Sequence, residues 1–254
     1  SRSPSPGQEM VIENKGGGAT NIGTDAVAKA DPDGYTVLLQ SVPLGVNRFL
    51  MNALPFDPVA DLAPVTLICD YPNVMAVPVT SPAHSVKEFI AYAKANPGKV
   101  TAATQGTGST SHLTSEWFQL VAGVKFVSVP YRGSAPALQD LVAGNVDLFF
   151  DNLGVSLPLA RDGKIKLLAV GTDKRMASAP SVPALIETLP DFVSSSWVGV
   201  FLPPKTPQAI ADKLIVNAEE LLGRKVYLGL FVKVVPDWTD DPRKVRELAM
   251  EASS

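Results

Sequence analysis

The stretch VPYRGSAPALQDLVAGNVDLFFDN, Val129–Asn152, decides how the rest of the chain is read. An apolar strand ends at its start, Tyr131 and Arg132 follow, Gly133 turns the chain, and Ser134 opens a helix with Pro136 in its first turn. Ala137, Leu138, Leu141 and Val142 recur at helical spacing and supply the buried side. Val146–Phe150 then reads as a second apolar strand, ending at Asp151 and Asn152. Strand, helix, strand at this spacing is a βα unit, so the sheet it builds is parallel.

The same alternation extends in both directions. Strands are expected near Met10–Glu13, Tyr35–Gln40, Val65–Ile68, Val74–Val77, Val100–Ala103, Phe126–Val129, Lys166–Val170 and Val198–Leu202, with helices in most of the gaps. In SVKEFIAYAKANPG, Ser85 is the expected N-cap and Glu88 completes a capping box, while Asn96, Pro97 and Gly98 stop the helix. A further helix starts near Ser109, with Leu113, Trp117, Leu120 and Val121 as its expected buried stripe.

Composition narrows the partners. The 254 residues are 46% hydrophobic and 19% charged with a formal net charge of -3, and no run of lysine or arginine offers a nucleic acid or an anionic membrane its clustered basic face. The single cysteine, Cys69, sits in the apolar run VTLIC and reads as a small buried hydrophobe. With only His84 and His112 beside it, no zinc-ligand spacing can be written. No segment approaches the roughly 18 consecutive apolar residues of a membrane span. Ser1–Gln8 reads as a frayed beginning, and an exported protein would already have lost its signal peptide.

Proline marks two expected crossings between lobes, at VPVTSP (Val77–Pro82) and LPDFVSSSW (Leu189–Trp197). Residues 81–195 then form one lobe, and residues 1–80 together with 196–254 form the other. Trp197 stands at the second crossing, as packing or as ligand wall.

ATQGTGSTSHL, Ala103–Leu113, follows a strand and opens a helix. It lacks the lysine of a P-loop and the third glycine of a dinucleotide fingerprint. The hydrolase elbow GxSxG is also missing, although Ser109 and His112 lie three apart at the helix start. An anion site fits best: glycines admit a ligand close to the backbone, first-turn N–H groups face it, and Thr107, Ser109, Thr110 and Ser111 supply neutral hydroxyl donors suited to a carboxylate. The Gly133–Ser134 turn repeats that construction on a neighbouring strand, and such strand ends are where open α/β sheets bind ligands. Tyr131, Arg132, Asp151 and Asn152 are ligand contacts there, or equally a packing aromatic, a surface charge and helix caps. LLQSVPLGVN places Gln40, Ser41 and Asn47 beyond a strand end in the other lobe.

Seven blocks, in order, carry a resemblance: NIGTDAVAKADPDGYTVLL, LPFDPVADLAPVTLI, PNVMAVP, SVKEFIAYAKANPGKV, GTGSTSHL, VPYRGSAPALQDLVAGNVDLFFDNL and KLLAVGTDKRMASAPSVPALIE. From about Val11 to Leu222 the chain resembles the Bug-type substrate-binding proteins of tripartite tricarboxylate transporters. The resemblance implies a type 2 periplasmic-binding-protein fold, with two α/β lobes whose mainly parallel sheets are flanked by helices. It implies a periplasmic, monomeric receptor that closes on a small carboxylate (a di- or tricarboxylate, an amino acid or an aromatic acid) and delivers it to membrane permease subunits. No cofactor, metal or catalytic residue is implied. Carried over, the ligand contacts fall on Ser41 in the first lobe and on Thr107, Gly108, Ser109, Thr110, Tyr131, Ser134 and Asp151 in the second. The family's opening strand and PFPPGGxxD loop have no counterpart before Met10, so the first lobe is expected to be incomplete at its N-terminus. From Gly223 the sequence departs from the family, apart from the displaced DPRKVRELA. The alternatives are a serine hydrolase using Ser109 and His112, and a ligand sensor on the same fold.

Overall fold

The computed structural model describes residues 11–15 and 20–222. Ser1–Gln8, the Met10 end of the first expected strand and everything from Gly223 lie outside the described residues. In chain order the elements are α1 (Asn21–Ala28), β1 (Leu38–Gln40), α2 (Pro43–Leu50), β2 (Ala63–Pro78), α3 (Val86–Ala95), β3 (Thr101–Thr104), α4 (Thr110–Ala122), β4 (Val127–Pro130), α5 (Ser134–Ala143), β5 (Leu148–Asn152), α6 (Leu153–Arg161), β6 (Ile165–Val170), β7 (Ser195–Leu202) and α7 (Gln208–Leu222).

Where the sequence suggests two strands, β2 is one strand of 16 residues. Its first part pairs antiparallel with β7, from Ala63 opposite Leu202 to Pro72 opposite Ser195. From Asn73 onward it pairs antiparallel with β5 and β6 instead. The apparent break at Asp70–Pro72 is bridged because β7 continues its ladder across it, and two register shifts bend β2 on the way.

Two groups of strands therefore share β2. On one side the order is β1–β7–β2, antiparallel throughout. On the other, β6 and β5 flank β2, and β5, β3 and β4 pair in parallel. The α/β architecture with flanking helices is as expected. Mainly parallel pairing holds only for β3, β4 and β5 among the described residues. The reason is that β2 carries the chain out of the first sheet and β7 carries it back, so the two must run in opposite senses.

Alternation along β5 sorts the larger core. Leu148 and Phe150 face Phe89 and Phe118 of α3 and α4 with Met75 and Ala102, whereas Phe149 joins Ala76, Ala103 and the α5 residues Ala137, Leu138 and Leu141. The smaller core packs Val27, Leu38, Leu44, Phe56, Leu62 and Phe201, with Trp197 against it.

Several local expectations change. Val11–Lys15 is not a strand; Val11 and Ile12 are exposed and no described strand lies beside them to pair. Ser85 does cap α3, accepting from the Glu88 N–H at 3.2 Å, but the Glu88 carboxylate accepts from the His84 N–H at 2.7 Å. Cys69 is half-buried, and Val142 is on the exposed side of α5. In α4 the buried face is Ser111, Thr114, Ser115, Phe118 and Ala122, while Leu120 is 82% exposed. Ser111 and Thr114 can occupy that face because their hydroxyls are hydrogen-bonded there, which apolar periodicity does not register. Phe118 packs 5.4 Å from Phe150 and 5.9 Å from Phe192, centroid to centroid. Phe118→Ala is therefore expected to lose about 3–5 kcal/mol in urea denaturation. Leu120→Ala should stay within about 0.5 kcal/mol.

Candidate functional site

The chain turns from strand to helix at the ends of three parallel strands, β3, β4 and β5, so α4, α5 and α6 all begin at one edge of the sheet. The first-turn N–H groups of a helix have no acceptor within it. Neither Gly133 before α5 nor Asn152 before α6 caps its helix with a side chain. Gly133 has φ 111°, in the region that favours glycine.

The α4 start is more internally bonded. Ser109 is its N-cap and accepts from the His112 N–H at 3.3 Å. Its hydroxyl donates to Gly106 O at 2.6 Å and lies 2.9 Å from Ser111 Oγ. Ser111 Oγ accepts the Gln105 N–H at 2.8 Å, and the Gly108 N–H donates to His112 Nδ1 at 3.4 Å. Thr110 Oγ1 donates to Ser196 Oγ at 2.9 Å, tying α4 to β7. Thr107 is exposed at the tip of the turn.

Below these helix starts lies Asp151, fully buried. Strand alternation puts it on the same face as Phe149, toward α5 and α6. Oδ1 accepts from Ser134 Oγ at 2.6 Å and Gln105 Nε2 at 3.0 Å, and Oδ2 accepts from Ser156 Oγ at 2.8 Å. One carboxyl thus joins the β3–α4 turn, α5 and α6. Burial pushes the Asp151 carboxyl above its ordinary range, opposed by the donations from Ser134, the Asn152 N–H, Ser156 and Gln105.

Tyr131 directs its hydroxyl to Asp140 Oδ2 at 2.6 Å, and its N–H donates to Thr104 O at 2.8 Å. Burial, with Asp140 beside it, raises the phenol to about 12. Arg132 is exposed. Beside the other sheet, Gln40 Nε2 donates to Thr20 Oγ1 at 2.9 Å and Thr24 Oγ1 at 2.8 Å, and Gln40 Oε1 accepts the Ser41 N–H at 2.9 Å. Asn47 Nδ2 donates to Asn21 Oδ1 at 2.8 Å. The Gly108 turn reaches this side: a Cβ on Gly108 would stand 2.8 Å from Asn47 Oδ1.

The structure therefore gathers Thr107, Gly108, Ser109 and Thr110 in one turn, links it through Gln105 to Ser134 and Asp151, and sets α2, which begins just after Ser41, against it. Sequence reasoning missed Gln105, although it lies inside ATQGTGSTSHL. It also missed Asn73, Thr114, Ser194 and Ser196; the signal was SSS in an apolar strand, where alternation buries Ser194 and Ser196 together. The Ser109 hydroxyl is committed to Gly106 and Ser111, and His112 reaches it only through its backbone N–H. Among the described residues, no group of three His, Cys, Asp or Glu could hold a metal.

A raised carboxyl means that folding favours the protonated form. The stability this contributes is complete below the ordinary carboxylate pKa of about 3.9 and is lost as pH rises through the raised value. Asp151→Asn removes that titration. Between about pH 4 and about pH 7, urea denaturation should show wild-type stability falling relative to Asp151→Asn. A relative rise would mean that the hydrogen bonds, not burial, dominate.

Comparison with known proteins follows the same lines. A protein of Pseudomonas sp. (strain P51), the UPF0065 protein in the tcbD-tcbE intergenic region, is 38% identical over 219 residues, 85% of this chain and 65% of that protein. Protein BugT of Bordetella pertussis is 37% identical over 228 residues, 89% of this chain and 70% of its own length. The chain thus spans about two thirds of these relatives. Among solved structures, R. palustris Rpa4515 with adipate superimposes with a TM-score of 0.82 at 33% identity, covering 96% of this chain and 82% of that one. MatC (Rpa3494) from Rhodopseudomonas palustris with bound malate gives 0.77 at 27% identity, covering 93% and 83%. The periplasmic binding protein BugD gives 0.77 at 29% identity, covering 96% and 84%, so the fold is that of these binding proteins. The profile of the tripartite tricarboxylate transporter family receptor (TctC) matches residues 3–231, and the chain belongs to that family.

Proposed function

We propose that the chain is the ligand-holding part of a periplasmic, non-catalytic, monomeric receptor that closes on a small carboxylate and presents it to the permease subunits of a tripartite transporter. The observation that carries this reading is the convergence of the α4, α5 and α6 starts at one sheet edge, two of them without side-chain caps. First-turn N–H groups and hydroxyls there suit a carboxylate. Relatives of the same fold are solved with adipate and with malate, which supports a dicarboxylate as ligand.

In this reading the lobes are residues 1–80 with 196–254, and residues 81–195. Closure is a hinge motion about β2 and β7. Thr107 supplies its hydroxyl and Thr110 and Ser134 their first-turn N–H groups, Ser109 caps the α4 start that presents them, its own hydroxyl bonded to Gly106 O, and Ser41 faces them from the first lobe. Gly108 lets the two sides approach. Tyr131, its hydroxyl and N–H both bonded within the protein, serves as a wall rather than a donor. Asp151, its oxygens occupied by Ser134, Gln105 and Ser156, positions donors instead of touching ligand. Hydrolysis by Ser109 is disfavoured because its hydroxyl donates to Gly106 O instead of to imidazole.

Thermal denaturation of the full chain with mono-, di- and tricarboxylates tests the reading. A ligand at about 100 times its dissociation constant should add about 2.7 kcal/mol of stability. Thr107→Ala should weaken the best carboxylate about tenfold in titration calorimetry, the worth of one hydrogen bond to a charged group. No stabilisation by any carboxylate, with ester turnover that Ser109→Ala abolishes, would overturn it.

A further inference from the structure

The geometry points to Asn47 as a positioning residue that sets how far the two sides of the cleft close, through its seat on Gly108. The inference deepens the receptor reading above and rests on it for its meaning in ligand binding.

Asn47 lies on α2, beside the β1–β7–β2 sheet, and Gly108 lies in the turn before α4, beside the other sheet. Both are buried, so this is a packed contact between the two sides. Three observations fix its geometry. The Asn47 carboxamide is held from behind, because Nδ2 donates to Asn21 Oδ1 at 2.8 Å and Asn21 Nδ2 in turn donates to Met51 Sδ at 2.9 Å. That leaves Oδ1 as the atom nearest Gly108. The Gly108 backbone is held from its own side, because its N–H donates to His112 Nδ1. Finally, there is no room for a side chain: a Cβ on Gly108 would stand 2.8 Å from Asn47 Oδ1 and 3.2 Å from Leu50 Cδ1.

The consequence is mechanical. Neither partner can retreat without breaking a hydrogen bond, so any side chain at position 108 acts as a wedge between α2 and the α4 turn. The contact lies beside Ser109 and Thr110, so the wedge would hold the first side away from a carboxylate seated on the α4 start. Glycine at this position is needed for closure as well as for its φ of 79°.

A double-mutant cycle separates the wedge from backbone strain. Gly108→Ala carries both effects; Gly108→Ala/Asn47→Ala keeps the strain and removes the closer of the two obstructions, leaving Leu50 Cδ1, so strain cancels in the coupling. The first readout needs no ligand: amide hydrogen exchange of the full chain, read at α2 and residues 105–110. Gly108→Ala should cut protection there, and Asn47→Ala in its background should restore protection by about fivefold more than additivity allows, the equivalent of about 1 kcal/mol of coupling. Additive effects would overturn the inference. If Asn47→Ala does not fold, Leu50→Ala replaces it in the same cycle; Leu50 is 45% exposed and its Cδ1 also faces position 108. The second readout is titration calorimetry with malate and adipate, where Gly108→Ala should weaken both and the double variant should recover. Coupling in exchange with no carboxylate binding to the wild-type chain would keep the seat and remove the receptor reading. Binding with additive exchange would do the reverse.

Discussion

Everything in this molecule hangs on the place where β2 changes partners. The Asn73 N–H donates to Ser194 O at 3.0 Å, the Ser194 N–H to Gly171 O at 2.8 Å, and the Gly171 N–H to Asn73 O at 2.7 Å, a closed ring of three backbone bonds joining three segments. A side chain at Gly171 would run into Ser194 O, with Asn73 O only 3.1 Å away, so the segments approach this closely only because position 171 is glycine. Side chains extend the ring into α4: Asn73 Nδ2 donates to Ser194 Oγ at 2.7 Å and Thr114 Oγ1 at 3.2 Å. With Thr110 bonded to Ser196, the helix whose start forms the candidate site is fastened to both strands at the crossing. These groups are buried, where an unmade hydrogen bond costs about 1–3 kcal/mol, so they act together or not at all.

The second organising group is Asp151. A negative carboxylate beneath converging helix starts looks out of place in the anion site proposed above, since it opposes the charge the dipoles favour. Its four donors resolve this. They fix Gln105, Ser134, Ser156 and the Asn152 N–H in one arrangement, and burial keeps the carboxyl closer to neutrality than an exposed aspartate. The carboxyl works as a post for donors that would otherwise need partners of their own, and it leaves the edge above it to groups that can face a ligand.

Much of this was legible from residues alone. The Val129–Asn152 unit announced strand, helix and strand, and the glycine and hydroxyl content of ATQGTGSTSHL announced a helix start open to an anion. Ser109 and Ser85 announced themselves as caps through their spacing to the next helix. Two of the errors have long-range causes. Apolar periodicity assigned the buried face of α4 to Leu120 and Val121, where Ser111 and Thr114 are buried by hydrogen bonds instead. The break at Asp70–Pro72 divided β2, because an exposed Asp70 reads as a turn while β7, far away in sequence, continues the ladder across it.

The sequence by itself determined the order of strands and helices, the exclusion of nucleotide-binding patterns and the family, since each is a property of local spacing and motif. Only the tertiary structure decided that β7 runs antiparallel to the first part of β2 and that β2 continues into the other group of strands, that Asp151 faces protein donors and that the Tyr131 hydroxyl turns to Asp140. Asn73 and Ser194 are 121 positions apart, and Gln105 and Asp151 are 46 apart. No local pattern encodes such a pairing, because what selects it is the requirement that a buried polar group find a partner, and the partner is supplied by packing.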